Sequence, residues 1–379
     1  MKKVLYLLLI LMFSQYNYES DIESKMTQKS SMDPHSPGIG KTGPWSEGWY
    51  YRITDHENNR VIACIGGIYL SPETEYEPGI ELPGYIAILI STGSGGPLTV
   101  YEAFPENIIM YSHGEPVSSN PGYFTPADFE WKAEGFGTIT QDYVDLNIPG
   151  VVELQADFSN RIPWMYKKHA SPEGLLAFLP DLPLHWYVYS LGSETDYEIT
   201  IFEDDEEIAL DGNGYAHQEK NWANSFPGSW IWTQGVNEDN TVQYVLSGGV
   251  VDSGSPEKTL WIVGYFSENL QWDFRGSDLG TSFETNFDAC SGTFNLTAKN
   301  PLHTLIINVK ADLNTFNHVA IPTEEGFKSD AVESFEATTT IEAYIHYPFG
   351  GLSVIEKLVE KRVLHNASLE FGGDYQCGE

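Results

Sequence analysis

Hydrophobic positions along most of the chain come in short aromatic or β-branched runs punctuated by Gly, Pro, Asn and Asp. Aromatic and β-branched runs at 49–54, 60–70, 85–91, 144–148, 186–190, 198–202, 242–246, 259–266, 302–309 and 338–346 predict strands. Strands this short and closely spaced give an all-β expectation, built as sandwiches or barrels. One helix is expected at 352–364. There Leu352, Ile355, Leu358, Val359 and Val363 recur at helical spacing behind a Ser353 to Glu356 capping-box spacing, with a continuing strand pair as the alternative. Leu179-Pro180-Asp181-Leu182-Pro183 interrupts the strand pattern and sets an expected boundary between β domains at 45–181 and 182–379.

The first residues follow a different pattern. Lys2-Lys3 precedes an unbroken apolar run over 4–13, which suits a signal peptide at 1–18 and is too short to span a bilayer. Residues 19–44 are polar and rich in Ser, Pro and Gly, a disordered lead-in by composition. The expected location is therefore secreted or the secretory lumen. Two acceptor sequons, at Asn295 and Asn366, fit glycosylation on that route. Of three cysteines, Cys64 reads as a buried strand thiol, and in an oxidising compartment Cys290 and Cys377 could pair.

A formal charge of −34, from 20 basic and 54 acidic residues, argues against nucleic acid and anionic membrane as partners. The cysteines have no metal-ligand spacing, and no metal or cofactor is expected.

The densest chemistry lies at 212–235, GNGYAHQEKNWANSFPGSWIWTQG. Written as an extended segment, Tyr215, His217, Glu219 and Asn221 share one face, and Gln218, Lys220 and Trp222 the other. A polar, titratable row is costly to bury without partners, so it faces water or lines a cavity. The turn at 224–229 and the alternation of Trp230, Trp232 and Gln234 with Ile231 and Thr233 then predict a β-hairpin. Glu219 beside Lys220 could be merely an ion pair, although an extended strand points them apart. Glu47 and Arg52 are expected to form a structural ion pair.

This segment resembles the tocopherol cyclase family, whose signature carries Tyr-x-Glu-Lys-Asn-Trp-Gly, then Phe-Pro, Trp-x-Trp and Gln; Ala223 stands here in place of the Gly. Ser46-Glu47-Gly48-Trp49-Tyr50-Tyr51-Arg52 is similar to the family's Glu-Gly-Trp-Tyr-Phe-Arg, and Ser368-Leu369-Glu370-Phe371-Gly372-Gly373 resembles its last strand. The resemblance implies two lipocalin-like or sandwich-like β units with the ligand between them or in a barrel mouth. It also implies closure of a ring in a prenylated phenol, quinone methide or polyene, with no cofactor. Such chemistry needs an acid to protonate an alkene, aromatic faces for the cation and a dry cavity. Glu219 is the candidate acid, a carboxyl whose pKa an apolar pocket would raise. Tyr215, His217 and Asn221 are candidates to hold the phenol oxygen or relay its proton. Trp49, Tyr51, Trp222, Phe226, Trp230, Trp232 and Gln234 are the expected substrate contacts. A lipocalin-like carrier of an isoprenoid or other apolar ligand is the alternative function, and a purely structural β protein a third.

Overall fold

The computed structural model describes residues 32–112, 115–116, 128–164, 172–174, 184–203, 206–224, 226–251, 258–349 and 353–378, and their strands form two antiparallel sheets. The first sheet holds β1 (Trp45–Asp55), β2 (Arg60–Leu70), β3 (Gly84–Ser91), β4 (Thr99–Ala103), β5 (Ile108–Ser112) and β6 (Glu115–Pro116). It also holds β7 (Phe129–Ala133), β8 (Gly137–Ile139), β9 (Tyr143–Ile148), β10 (Val152–Ser159), β11 (Leu184–Glu203) and β12 (Glu206–Ala223). The second contains β13 (Ser229–Val236), β14 (Gln243–Val251), β15 (Lys258–Phe266), β16 (Gln271–Arg275) and β17 (Ser282–Asp288). It continues with β18 (Thr293–Lys299), β19 (His303–Lys310), β20 (Asn317–Thr323), β21 (Gly326–Phe349) and β22 (Ser353–Gly373).

The first sheet runs β4-β3-β2-β1-β12-β11-β10-β9-β8-β7-β5-β6; the second runs β16-β15-β14-β13-β22-β21-β19-β18-β17, with β20 against β21. Each curls into a half-barrel around its own apolar core, giving the expected all-β pair of lipocalin-like units. No helix among the described residues is long and apolar enough to cross a membrane.

Burial along single strands shows where the units meet. In β10, VELQADFS, buried and exposed residues alternate strictly, because one face packs on the first core and the other meets water. In β3, GYIAILIS, every residue is buried. Ile86, Ile88 and Ile90 enter the first core, while Tyr85, Ala87 and Leu89 pack with Val319, Ala320 and Phe335 of the second unit. Two-sided burial is what a continuous apolar run encodes. Each large apolar side chain so buried stabilises the structure by roughly 1.5–3 kcal/mol.

Several expectations are corrected. The stretch 353–364 is part of β22 rather than a helix. Its Ile355, Leu358 and Val363 stay exposed, so no apolar surface receives a helix face, and the backbone pairs with β21 instead. The expected hairpin at 212–235 does not form: β12 lies between β1 and β11, and β13 lies between β14 and β22. With both edges of each strand taken, the Pro227-Gly228 break carries the chain from one sheet to the other. The crossing therefore falls between Ala223 and Ser229, and the boundary expected at 181/182 precedes two strands of the first sheet. The lead-in is packed from Met32, which is buried and accepts a hydrogen bond from Trp49 Nε1 at 3.0 Å; the expected signal peptide lies outside the described residues.

Cys290 and Cys377 form a disulfide that ties the C-terminal segment to the β17–β18 connection, and Cys64 is a buried free thiol.

Candidate functional site

The strand β1, WSEGWYYRITD, sends alternate side chains to opposite environments. Trp49 and Tyr51 point into the first core: Trp49 stacks on Phe129, and the Tyr51 hydroxyl donates to Thr140 O at 2.9 Å. Tyr50 and Arg52 point the other way, toward the second unit. The same division corrects the expected Glu47–Arg52 pair, since five positions along a strand place two residues on opposite faces. Glu47 pairs with Lys220 on the inner side. Arg52 Nη1 donates to Thr54 Oγ1 and Gln234 Oε1, both at 2.9 Å, and Nη2 donates to Asn366 O, so its guanidinium fastens β1 to β13 and β22.

The neighbouring β12 splits in the way its alternation predicts. Gln218, Lys220 and Trp222 face inward, where Gln218 accepts from Ser193 and Trp222 stacks on His35 and His185. Lys220 therefore does not pair with Glu219. On the other face, His217 Nε2 lies 2.7 Å from Glu219 Oε2, and the same oxygen accepts from Trp232 Nε1 at 3.2 Å. Both contacts fall on the same Glu219 oxygen.

Between the sheets lies a cavity of about 190 Å³. Its first-unit wall includes Tyr50, Ile65, Trp186, Glu219 and Asn221; its second-unit wall includes Trp230, Trp232, Ile262, Phe327, Glu333 and Glu370. Phe226 and Pro227, from the crossing, close one side. Tyr50 meets Trp232 edge-on at 5.2 Å, joining the two walls.

The three sequence stretches that carry the family resemblance thus lie around one space, on the strand pairs β1–β12 and β13–β22. In the last, Leu369 and Phe371 fill the second core while Glu370 lines the cavity. Gly372 is required for a close approach: a Cβ there would come within 2.0 Å of the Trp230 indole.

Of the residues expected in the site, Glu219, Asn221, Phe226, Trp230 and Trp232 line the cavity, and His217 stands behind Glu219. Trp49 borders it, but its indole, like Tyr51 and Trp222, belongs to the interior of the first unit. Tyr215 sits with Thr54, His56 and Glu238 in a separate polar depression, and Gln234 holds Arg52. Asn295 and Asn366 are partly exposed on the second unit.

Sequence reasoning missed Glu333 and the role of Glu370. Glu333 is fully buried; its Oε1 accepts from the Tyr50 hydroxyl at 3.0 Å, and its Oε2 has no partner among the described residues. Burial pushes its carboxyl well above the usual range, Glu370 adds to this by repulsion, and Arg52 opposes it. Glu370, which accepts from Trp230 Nε1, is pushed up to about 7, mainly by burial and further by Glu219. Burial also raises the Tyr50 hydroxyl. The indole Nε1 of Trp186 is likewise without a partner among the described residues. Glu333 sits in SDAVESFEATTT, whose alternation marks a strand but not which face meets a cavity.

The profile of the tocopherol cyclase-like family matches residues 132–373, a span that holds the stretches at 212–235 and 368–373. No curated protein matches the sequence. Among solved structures, CghA with Sch210972 has 11% identity and a TM-score of 0.57, covering 93% of this chain and 98% of that one. CghA alone gives 12% identity and the same TM-score, covering 93% and 97%. At this identity the likeness is one of fold.

Proposed function

The chain belongs to the tocopherol cyclase-like family, and from that premise we propose that it is a cofactor-independent cyclase. It closes a ring in a prenylated phenol, quinone methide or polyene held between the two sheets. One observation carries this reading: a cavity between the sheets walled by Tyr50, Trp186, Trp230 and Trp232 and lined as well by Glu219, Glu333 and Glu370.

Aromatic faces stabilise a developing cation by their quadrupole, and exclusion of water keeps that cation from capture. A buried carboxyl supplies the proton, and the apolar walls fold the chain of the substrate so that the reacting atoms meet. Trp186 Nε1, a donor with no partner among the described residues, is suited to a substrate oxygen. We also place the protein in the secretory pathway, a setting that the Cys290–Cys377 disulfide supports.

The test is native mass spectrometry of the protein exposed to panels of prenylated phenols and polyenes, followed by chromatography of the bound ligand. A ligand recovered as a cyclised isomer of unchanged mass is expected. A ligand returned unaltered would make the protein a lipocalin-like carrier.

A further inference from the structure

Glu333 and Glu370 are direct cross-strand partners on β21 and β22, so their side chains leave the sheet on the same face. The row extends through the neighbouring strands, from Trp232 opposite Glu370 on β13 to Asn317 opposite Glu333 on β20. Both carboxyls line the cavity. Their fixed contacts are neutral donors, Tyr50 to Glu333 and Trp230 to Glu370. Arg52, the cation nearest in influence, spends its Nη donors on Thr54, Gln234 and Asn366 O.

Resting on the cyclase reading above, and taking its prenylated phenol as the substrate, we propose that Glu333 and Glu370 are the acid and base of the ring closure. Arg52 is a positioning residue behind them. A polyene cycloaddition transfers no proton and would need neither carboxyl. Closing a phenol onto an alkene needs a proton given to carbon and another taken from oxygen, and this wall supplies both groups.

The steps balance without an oxidant or co-reactant. The O–H bond of Glu333 breaks as the alkene π pair forms a C–H bond at the less substituted carbon, leaving a tertiary cation. A lone pair of the phenol oxygen then forms the C–O bond. The phenolic O–H breaks, its proton passes to Glu370, and return of a proton from Glu370 to Glu333 restores the starting state. The product is an isomer of the substrate.

The protonation states fit these roles. A neutral Glu333 that accepts from Tyr50 on Oε1 carries its proton on Oε2, the atom with no partner among the described residues. The groups acting on it are Tyr50 and Arg52 from β1, Tyr85 from β3, Glu219 from β12 and Glu370 from β22. Burial and Glu370 raise its pKa while Arg52 restrains it, and burial pushes Glu370 itself up to about 7. Burial and the repulsion between the two carboxyls both favour a proton retained within the pair. Glu219 Oε2 is already engaged by His217 Nε2 and Trp232 Nε1, which leaves it a supporting role.

The experiment compares wild type, Glu333→Gln, Glu370→Gln and Glu219→Gln with a prenylated hydroquinone and a conjugated polyene, in H2O and D2O. Wild type is expected to return a chroman carrying one deuterium on carbon from D2O. Glu333→Gln should lower kcat about a hundredfold or more while ligand binding persists. Glu370→Gln should abolish the acid limb of the rate profile near pH 7 and move the alkaline limb to lower pH, since loss of its charge eases ionisation of Glu333. Isotope-edited infrared spectra without substrate should show a protonated carboxyl at neutral pH that Glu333→Gln removes and Glu219→Gln retains. Should Glu333→Gln fail to fold, Glu333→Asp keeps the acid but shortens its reach, and must lower kcat with KM retained. Cyclisation of either substrate that survives loss of Glu333 and Glu370, or that is lost only with Glu219, overturns the dyad and leaves the cyclase standing. A wild type that binds both substrates and converts neither overturns the cyclase reading and the dyad together.

Discussion

Two buried clusters of ionisable groups lie one on each sheet and differ in how far partners offset the cost of desolvation. Inside the first unit Lys220 is fully buried, but its ammonium reaches Glu47, Asp33 O and His35 Nδ1 and lies 5.0 Å from the ring centroids of Trp49 and Trp222. Glu47 in turn accepts the His35 amide at 2.9 Å. Burial still lowers the Lys220 pKa, with Glu47 opposing it through charge and a hydrogen bond, whereas Glu333 and Glu370, facing the cavity, receive hydrogen bonds only from neutral donors. A charge with counterion and hydrogen bonds is fixed in place, whereas a carboxyl denied them keeps a proton it can give away. The first arrangement is structural, and the second is available for chemistry.

The largest test removes the cation from the compensated cluster. Lys220→Met leaves Glu47 buried without its counterion and should destabilise the protein by about 3–5 kcal/mol in urea unfolding. Glu333→Gln deletes no compensated charge and should cost far less stability while costing activity. An equal loss of stability in both variants would erase the distinction.

A second test uses pH. Glu370 has an ordinary carboxyl value of 4.5 and a folded value of about 7, so the unfolded chain ionises first. Its stabilising contribution is complete below about pH 4.5 and is lost as pH rises through the folded value, with a slope up to about 1.4 kcal/mol per pH unit for a full proton difference. Urea midpoints should therefore decline across this window in wild type and less steeply in Glu370→Gln. Parallel curves would mean that the carboxyl is solvated.

The smallest effect is expected at Tyr51, whose family motif suggested a substrate contact but whose hydroxyl bonds Thr140 O inside the first unit. Tyr51→Phe should lose about 1 kcal/mol of stability with turnover unchanged. A change in KM would return Tyr51 to the site.

Much of this contrast was legible in the chain. Period-two alternation separated His217 and Glu219 from Lys220, and the structure keeps that separation. The same arithmetic applied to β1 would have parted Glu47 from Arg52 and put Tyr50 on the face opposite Trp49 and Tyr51, the face that the packing then turned to the cavity. The hairpin at 212–235 was misread because pairing depends on which edges remain free, a property of distant strands. Glu333 carried no local signal at all, being a glutamate in an ordinary alternating strand.

The sequence by itself determined the all-β class, the composition of each strand's two faces and the family to which the chain belongs, because these follow from local alternation and short motifs. Only the tertiary structure decided which face became a cavity. Residues as far apart as Tyr50, Glu219, Glu333 and Glu370 meet there because one sheet packs on another. It is that packing, by excluding water, that turns an acidic side chain of the strand pattern into a buried acid.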